Sequence, residues 1–421
     1  VAMGRRTRVM THHLEVATMP DFFGRRYDSN VIKIVASAIA FVFMIPYTAS
    51  VYNGLSRLFG MAFDIPYTVC VITMAVLTGV YVILGGYMAT AINDFIQGII
   101  MLFGIVAVIG AVLSGQGGFI EAVRKLSELP SDVPVTMGQQ GAFASFFGTD
   151  PLNLLGVIIL TSLGTWGLPQ MVHKFYAIKS EKAIKTGTIV STFFAVIVSG
   201  GCYFLGGFGR LFDAEALYKA DGSVMYDAIV PSMLSTLPDL LIGVVIILVL
   251  SASMSTLSSL VLTSASTLTL DFIKGNIVKE MDDKKQLIYI RVLIVFFIVI
   301  SVVLALNPPT FIAQLMGISW GALAGAFLAP FLYGLYWKGV TRAGVWASFL
   351  CGVGITVSNM FFKFIASPIN AGAAAMIAGL IITPVVSLVT PKINAAFVNK
   401  MFQCYDNTAK VSSKEYLKEE A

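Results

Sequence analysis

The stretch Ser251–Leu260 reads SASMSTLSSL, six hydroxyls in ten residues, set between the oily LIGVVIILVL before it and VLTSAS after it. A helix bound for hydrocarbon has little use for hydroxyls unless something polar meets them. Residues at i, i+3, i+4 and i+7 of a helix share a face. Ala252, Ser255, Ser258 and Ser259 therefore line one stripe, with Thr256 beside it. Ser and Thr in membrane helices often only bond back to a carbonyl or let helices approach closely. A cluster on one stripe has a second use, because a small hard cation takes several oxygens from hydroxyls, carbonyls and carboxylates. Calcium recruits several carboxylates; a site with a single acid suits a monovalent ion such as sodium.

That single acid is Asp94, in GGYMATAINDFIQGIIM. Charges within membrane spans are costly and mark ion or substrate paths. With a helix beginning near Met88, Asp94 lies about 9 Å inside it at 1.5 Å per residue. An acid at that depth also serves simply by reaching for headgroup water.

The rest of the 421-residue chain explains why hydroxyls stand out. It is 57% hydrophobic and 12% charged, where soluble domains carry about 25% charged residues. The composition reads as an all-α polytopic membrane protein. Spans of about 20 apolar residues are expected near 31–52, 65–85, 88–113, 152–168, 186–209, 237–265, 288–306, 311–336, 343–362 and 370–390. With residues 1–30 inside, 22 Lys and Arg fall on the inner side and 6 on the outer, the bias of the positive-inside rule. Both ends of the chain are then expected to be cytoplasmic, in a multi-pass protein of the cell membrane. The segment FIEAVRKLSEL in the outer loop 114–151 has the spacing of a short amphipathic helix. Cys70, Cys202, Cys351 and Cys404 form no CxxC, so neither a disulfide framework nor a metal site is expected. His12, His13 and His173 read as loop or interface histidines.

A second irregularity lies in TSLGTWGLPQMVHKFYAIKS, Thr161–Ser180. Gly164, Gly167 and Pro169 break the span near its inner half. Broken helices at mid-membrane expose backbone groups that coordinate ions and substrates in secondary transporters. Thr161, Ser162, Thr165 and Trp166 are the side chains such a break presents.

Four pieces together resemble the sodium/solute symporter family. GGYMATAINDFIQG resembles the family's GG…(T/N)D…Q segment. GLPQMVHKFYAIKS resembles its P-x4-(R/K)-F-x-A-x-(K/D)-S, SASMSTLSS is close to its A-x-x-M-S-T-L-S, and GLYWKGVTRAGVWASFLCGVG resembles its second signature. The resemblance implies a LeuT-like inverted-repeat fold working by alternating access. It implies a sodium site at the Ala252 carbonyl, Ser255 and Thr256, and a second at Asp94, Ser255, Ser258 and Ser259. Substrate residues carry over to Thr161, Thr165 and Pro169, a basic cytoplasmic position to Lys174. Trp166, Tyr47, Gln314 and Trp320 are added as pocket or gate residues, with Ser319 alongside.

The implied layout is a cytoplasmic loop at 1–30, the remainder of the first repeat at 31–113, and an extracellular loop at 114–151. The second repeat takes 152–336, two further spans 337–390, and a cytoplasmic tail 391–421. Family members have about three more N-terminal spans, so the sequence reads as lacking them, the first broken helix included. The family's sialic acid transporters place an Arg in the span matching 31–52. Here that span carries Tyr47, Thr48, Ser50 and Tyr52, which argues against sialic acid. The expected activity is sodium-coupled import of a small organic solute: an amino acid, a monocarboxylate or a pantothenate-like molecule. Sodium is the coupling ion, with no other cofactor and no nucleic-acid partner. A passive channel or facilitator would spread polar residues over more spans. A membrane enzyme would need paired acids, histidines or cysteines, and a solute sensor would need a signalling domain larger than the tail.

Overall fold

Helices follow from the apolar runs, since in hydrocarbon each backbone N–H and C=O must be satisfied within its own segment. The computed structural model describes residues 3–176, 181–212, 224–274, 276–278 and 280–407. Residues 177–180 of the second motif and 408–421 of the expected tail lie outside them, as does the side chain of His173. Sixteen α-helices are described: α1 Gly4–His13, α2 Met19–Arg26, α3 Asn30–Phe63, α4 Tyr67–Gly115, α5 Phe119–Glu128, α6 Pro151–Gly167, α7 Pro169–Tyr176 and α8 Glu181–Phe194. Then come α9 Gly200–Gly206, α10 Tyr226–Ser235, α11 Asp239–Thr267, α12 Asp283–Leu306, α13 Ile312–Tyr336, α14 Arg342–Phe362, α15 Pro368–Val389 and α16 Ala395–Asn407. Among the described residues no strand forms, and nine segments are long and apolar enough to cross a membrane.

The runs near 65–85 and 88–113 both lie in α4, as two crossing windows, Tyr67–Leu84 and Asp94–Gly115. The chain doubles back between them: Thr78 of the first window meets Met254 of α11, and Gly104 of the second lies against Leu248 of the same helix. A straight helix would hold Thr78 and Gly104 about 39 Å apart at 1.5 Å per residue. Asp94 opens the second window. The tenth expected span, 152–168, folds as the 17-residue α6, about 26 Å at 1.5 Å per residue. It stops where expected. Leu168 is extended (φ −88°, ψ 121°) and Pro169 opens α7, because a residue before proline is pushed out of the helical region.

The centre of the bundle is α13. Its crossing window is 83% buried, against 11% for Ala183–Leu211 at the periphery. The reason is the stripe Gly317, Gly321 and Gly325, spaced four apart. A Cβ on Gly321 would sit 2.6 Å from the Gly372 Cα of α15, and one on Gly352 of α14 only 2.2 Å from the Gly325 carbonyl carbon. The three helices touch backbone to backbone, the small-residue packing of membrane bundles. Gly352→Ala is expected to destabilise the protein by about 1–3 kcal/mol, the cost of overpacking, read as a lower melting temperature in detergent. An unchanged melting temperature would refute this packing.

The α6–α7 break lies on the same helix. A Cβ on Gly167 would meet the Ala324 Cα at 2.8 Å, and one on Gly164 would meet Trp320 at 3.0 Å. The amphipathic segment forms α5, burying Ala122 and Leu126 and pairing Arg124 with Glu121 and Glu128.

Beside the C-terminal end of α13 sits Arg26, wholly buried. Its Nε donates to the Gly334 carbonyl (2.9 Å) and its Nη2 to that of Trp337 (3.2 Å). Its guanidinium lies over the rings of Tyr27 and Phe402. A cation at a helix C-terminus meets the negative end of the dipole, and burial draws the Arg26 pKa below its ordinary value. Tyr27 donates to the Pro330 carbonyl at 2.5 Å, and Arg342 donates to the Tyr27 carbonyl at 2.8 Å.

Candidate ion and solute site

The hydroxyl-rich stretch forms the middle of α11 and splits between two directions. Ala252, Ser253 and Thr256 face a cavity of about 540 Å³, walled also by Tyr47, Ser50 and Gly54 of α3, Asp227 of α10 and Met316 of α13. Ser255, Ser258 and Ser259 do not line it. At 100° per residue, Ala252 and Thr256 lie 40° apart, whereas Ser255 is turned 100° and Ser258 160° away from Thr256. The single stripe read from the sequence is therefore two. Thr256 Oγ1 donates to the Ala252 carbonyl (2.9 Å) and Ser258 Oγ to that of Ser255 (3.0 Å). Back-bonding uses up the hydroxyl proton. It leaves the Thr256 oxygen with lone pairs only, the arrangement a cation takes.

Asp94 does not reach the serines by hydrogen bond. Its Oδ2 takes Lys174 Nζ of α7 at 3.3 Å, and its Oδ1 is buried without a partner. Lys174, read from the sequence as a basic residue beyond the break, is thus tied to an acid three helices earlier in the chain. Among the described residues no cluster of three or more His, Cys, Asp or Glu is present.

Of the expected solute residues, Tyr47 alone lines the cavity. Trp320 stands behind it, its ring edge-on at 5.6 Å, and connects the cavity wall to Gly164 of the broken helix. Thr161 and Thr165 bond back to the carbonyls of Val157 (2.8 Å) and Ser162 (3.3 Å). Trp166 is 40% exposed and Pro169 is buried at the break, and neither lines the cavity. Gln314 accepts from the Thr310 hydroxyl one turn away. Thr161, Thr165 and Trp166 are not brought to the cavity because α6 turns that face outward, while Pro169 belongs to α7 and Gln314 to the first turn of α13. Ser319, buried, donates to the Phe43 carbonyl at 2.5 Å.

Sequence reading missed the far end of the cavity. Asp227 accepts the Ile312 N–H at 3.1 Å, capping α13 from a separate helix, and lies 3.9 Å from Arg57 Nε. Arg57 in turn donates to Asn53 Oδ1 at 2.8 Å. An acid 85 residues away from the helix it caps leaves no local signal, since capping rules look only at neighbours in the chain.

The comparisons bear on the same residues. The sequence profile of SSF, the Sodium:solute symporter family, matches residues 4–352. Sodium/proline symporters of Staphylococcus aureus, strains JH9 and Newman among them, are 30% identical over 400 residues. The match spans 90% of this chain and 73% of theirs. A solved structure described as the substrate-bound outward-open state of a Na+-coupled sialic acid symporter superposes with a TM-score of 0.69 at 14% identity. It covers 93% of this chain and 84% of its own. At that identity the likeness concerns the fold, which is the expected LeuT-like one. The profile match takes in the acid, the break and the hydroxyl-rich helix alike: the chain belongs to the sodium:solute symporter family.

Proposed function

We propose that this chain imports a small amino acid, proline or one of similar size, driven by sodium. The observation that carries the reading is Thr256 and the Ala252 carbonyl on the same cavity wall as Tyr47. Ion and solute then share one space, so each can favour the other's binding. The identity with sodium/proline symporters supports the solute class. A monocarboxylate is the second reading, favoured by Arg57 beside the cavity mouth.

The Lys and Arg bias supports an orientation with α1, α2, the α7 end and α16 on the cytoplasmic side. Asp227 and Arg57 then face outward. The second repeat is 152–336 and the two spans of 337–390 lie outside both repeats. Sodium sits at Ala252 and Thr256, with Ser255 one position round the helix. A second ion takes Asp94, Ser258 and Ser259, and has first to displace Lys174 from the carboxylate. The lysine of that pair is 52% exposed and the acid 23%, so the ammonium can withdraw toward water as the ion enters.

The test is uptake of labelled proline into proteoliposomes, with and without an inward sodium gradient, against a panel of amino acids and monocarboxylates. Sodium-driven uptake competed only by small amino acids is the expected result. Uptake indifferent to sodium would sink the reading, and competition by monocarboxylates alone would move it to the second.

A further inference from the structure

The inner end of α11 carries a buried acid that the site above leaves unused. Helix α11 passes into a π-helical turn, Leu268–Ile273, and there Asp271 is 2% exposed at its side chain. Its Oδ2 accepts the Thr18 hydroxyl at 2.5 Å and its Oδ1 lies 3.4 Å from Lys33 Nζ. Lys33 is shared, since the same ammonium meets Asp21 Oδ1 at 2.8 Å, and Asp21 is also paired with Arg25 at 3.5 Å. The Thr18 oxygen accepts the Asp21 N–H at 3.1 Å, capping α2. One more clasp joins the same elements: Asn30 donates to Asn276 Oδ1 at 2.8 Å, and Asn276 to the Phe272 carbonyl at 3.0 Å. The inner end of the ion helix is thus fastened to α2 and α3 by one carboxylate.

Two further residues stand between Thr256 and this fastening. Ser264 and Thr267 are both fully buried, and neither hydroxyl has a partner. Their neighbours on the same element behave otherwise. Thr256, Ser258, Ser266 and Thr269 each return a hydrogen bond to a carbonyl of their own helix. Buried hydroxyls are nearly always satisfied, so the two exceptions need an explanation. At 100° per residue, Thr256, Ser264 and Thr267 fall within about 80° of one another, on one side of α11, and the π-helical turn that carries Asp271 follows directly. A row of oxygens thus leads from the cavity wall to the carboxylate that ties down the helix end.

We propose that Ser264 and Thr267 line the inward route of sodium from Thr256, and that Asp271, held by Thr18 and Lys33, closes that route. The proposal rests on the reading that sodium binds at Ala252 and Thr256. The unpartnered hydroxyls receive the ion in transit, and release of Asp271 from Lys33 frees the helix end to open. Asp271 is a positioning residue here: it acts through the helix that carries the site.

The test uses a variant whose four native cysteines are replaced by serine and which carries Thr267→Cys. It is labelled from the cytoplasmic face with a membrane-impermeant thiol reagent. Labelling is expected to be slow, and slower still with sodium. Asp271→Asn and Lys33→Met are expected to speed it about tenfold, within the usual range of coupling between sites, and Lys33→Arg to restore the slow rate. The same Asp271→Asn protein is expected to need about tenfold more external sodium for half-maximal uptake, with its maximal rate largely kept. Thr18→Val, which removes one hydroxyl and no charge, covers the case in which Asp271→Asn does not fold, and is expected to speed labelling likewise. Sodium-driven uptake with labelling indifferent to Asp271, Lys33 and Thr18 would overturn the route alone. A wild-type protein whose uptake ignores sodium would overturn the sodium reading itself, and the route with it.

Discussion

Proteoliposomes carrying Thr256→Val are expected to need about 10–150-fold more sodium for half-maximal uptake. Valine keeps the branched shape and removes one oxygen, so packing is nearly conserved. A hydrogen bond or contact to a charged partner is worth about 1.5–3 kcal/mol, and each 1.4 kcal/mol is tenfold. The loss falls on sodium and not on folding, because Thr256 is only part-buried and its hydroxyl bonds back within its own helix. The measurement is initial uptake rate against external sodium at fixed membrane potential. An unshifted curve would remove Thr256 from the site.

Asp94→Asn is expected to reduce the steady solute accumulation, and by a factor large enough to see without kinetics. One sodium crossing about 100 mV releases about 2.3 kcal/mol, and a tenfold gradient adds about 1.4 kcal/mol. Together they sustain a ratio of about 500-fold for a neutral solute, and two coupled ions square it. Removing the second ion therefore lowers the limiting ratio from about 2 × 10⁵ to about 500. Lys174, left behind at 52% exposure, is hydrated by water and does not unfold the protein. Lys174→Met is expected to act in the opposite sense, leaving Asp94 free and lowering the sodium concentration at half-maximal uptake. A ratio in Asp94→Asn equal to that of the wild type would return Asp94 to a structural role.

Much of this was legible in the sequence, for physical reasons that also mark where legibility stopped. The break at Leu168 follows from Pro169 and the glycines before it, a rule that acts between neighbours. That Ala252, Ser253 and Thr256 wall the cavity was foreshadowed by six hydroxyls that hydrocarbon does not favour. What sequence could not settle was direction. Ser255 and Thr256 are adjacent, and which one faces the cavity depends on how α11 is turned against α3. The outward turn of Thr161 and Thr165 is set in the same way by the close approach of Gly167 to Ala324. The clasp of Thr18, Lys33 and Asp271 was invisible because its members are 253 residues apart at the widest hydrogen bond, and each alone reads as a loop or span-end residue.

The Arg26 pocket also sets an order of events during synthesis. Arg26 and Tyr27 bond to carbonyls 308, 311 and 303 residues further along the chain, and Arg342 reaches back 315 residues to Tyr27. At about 5–20 residues per second, those carbonyls leave the ribosome about 15–60 s after Arg26 does. Throughout that interval the segment around Arg26 waits at the membrane surface with its guanidinium in water. Helix α2 can dock on α3 at once through Asp21 and Lys33, so it is the pocket around Arg26 that closes among the last.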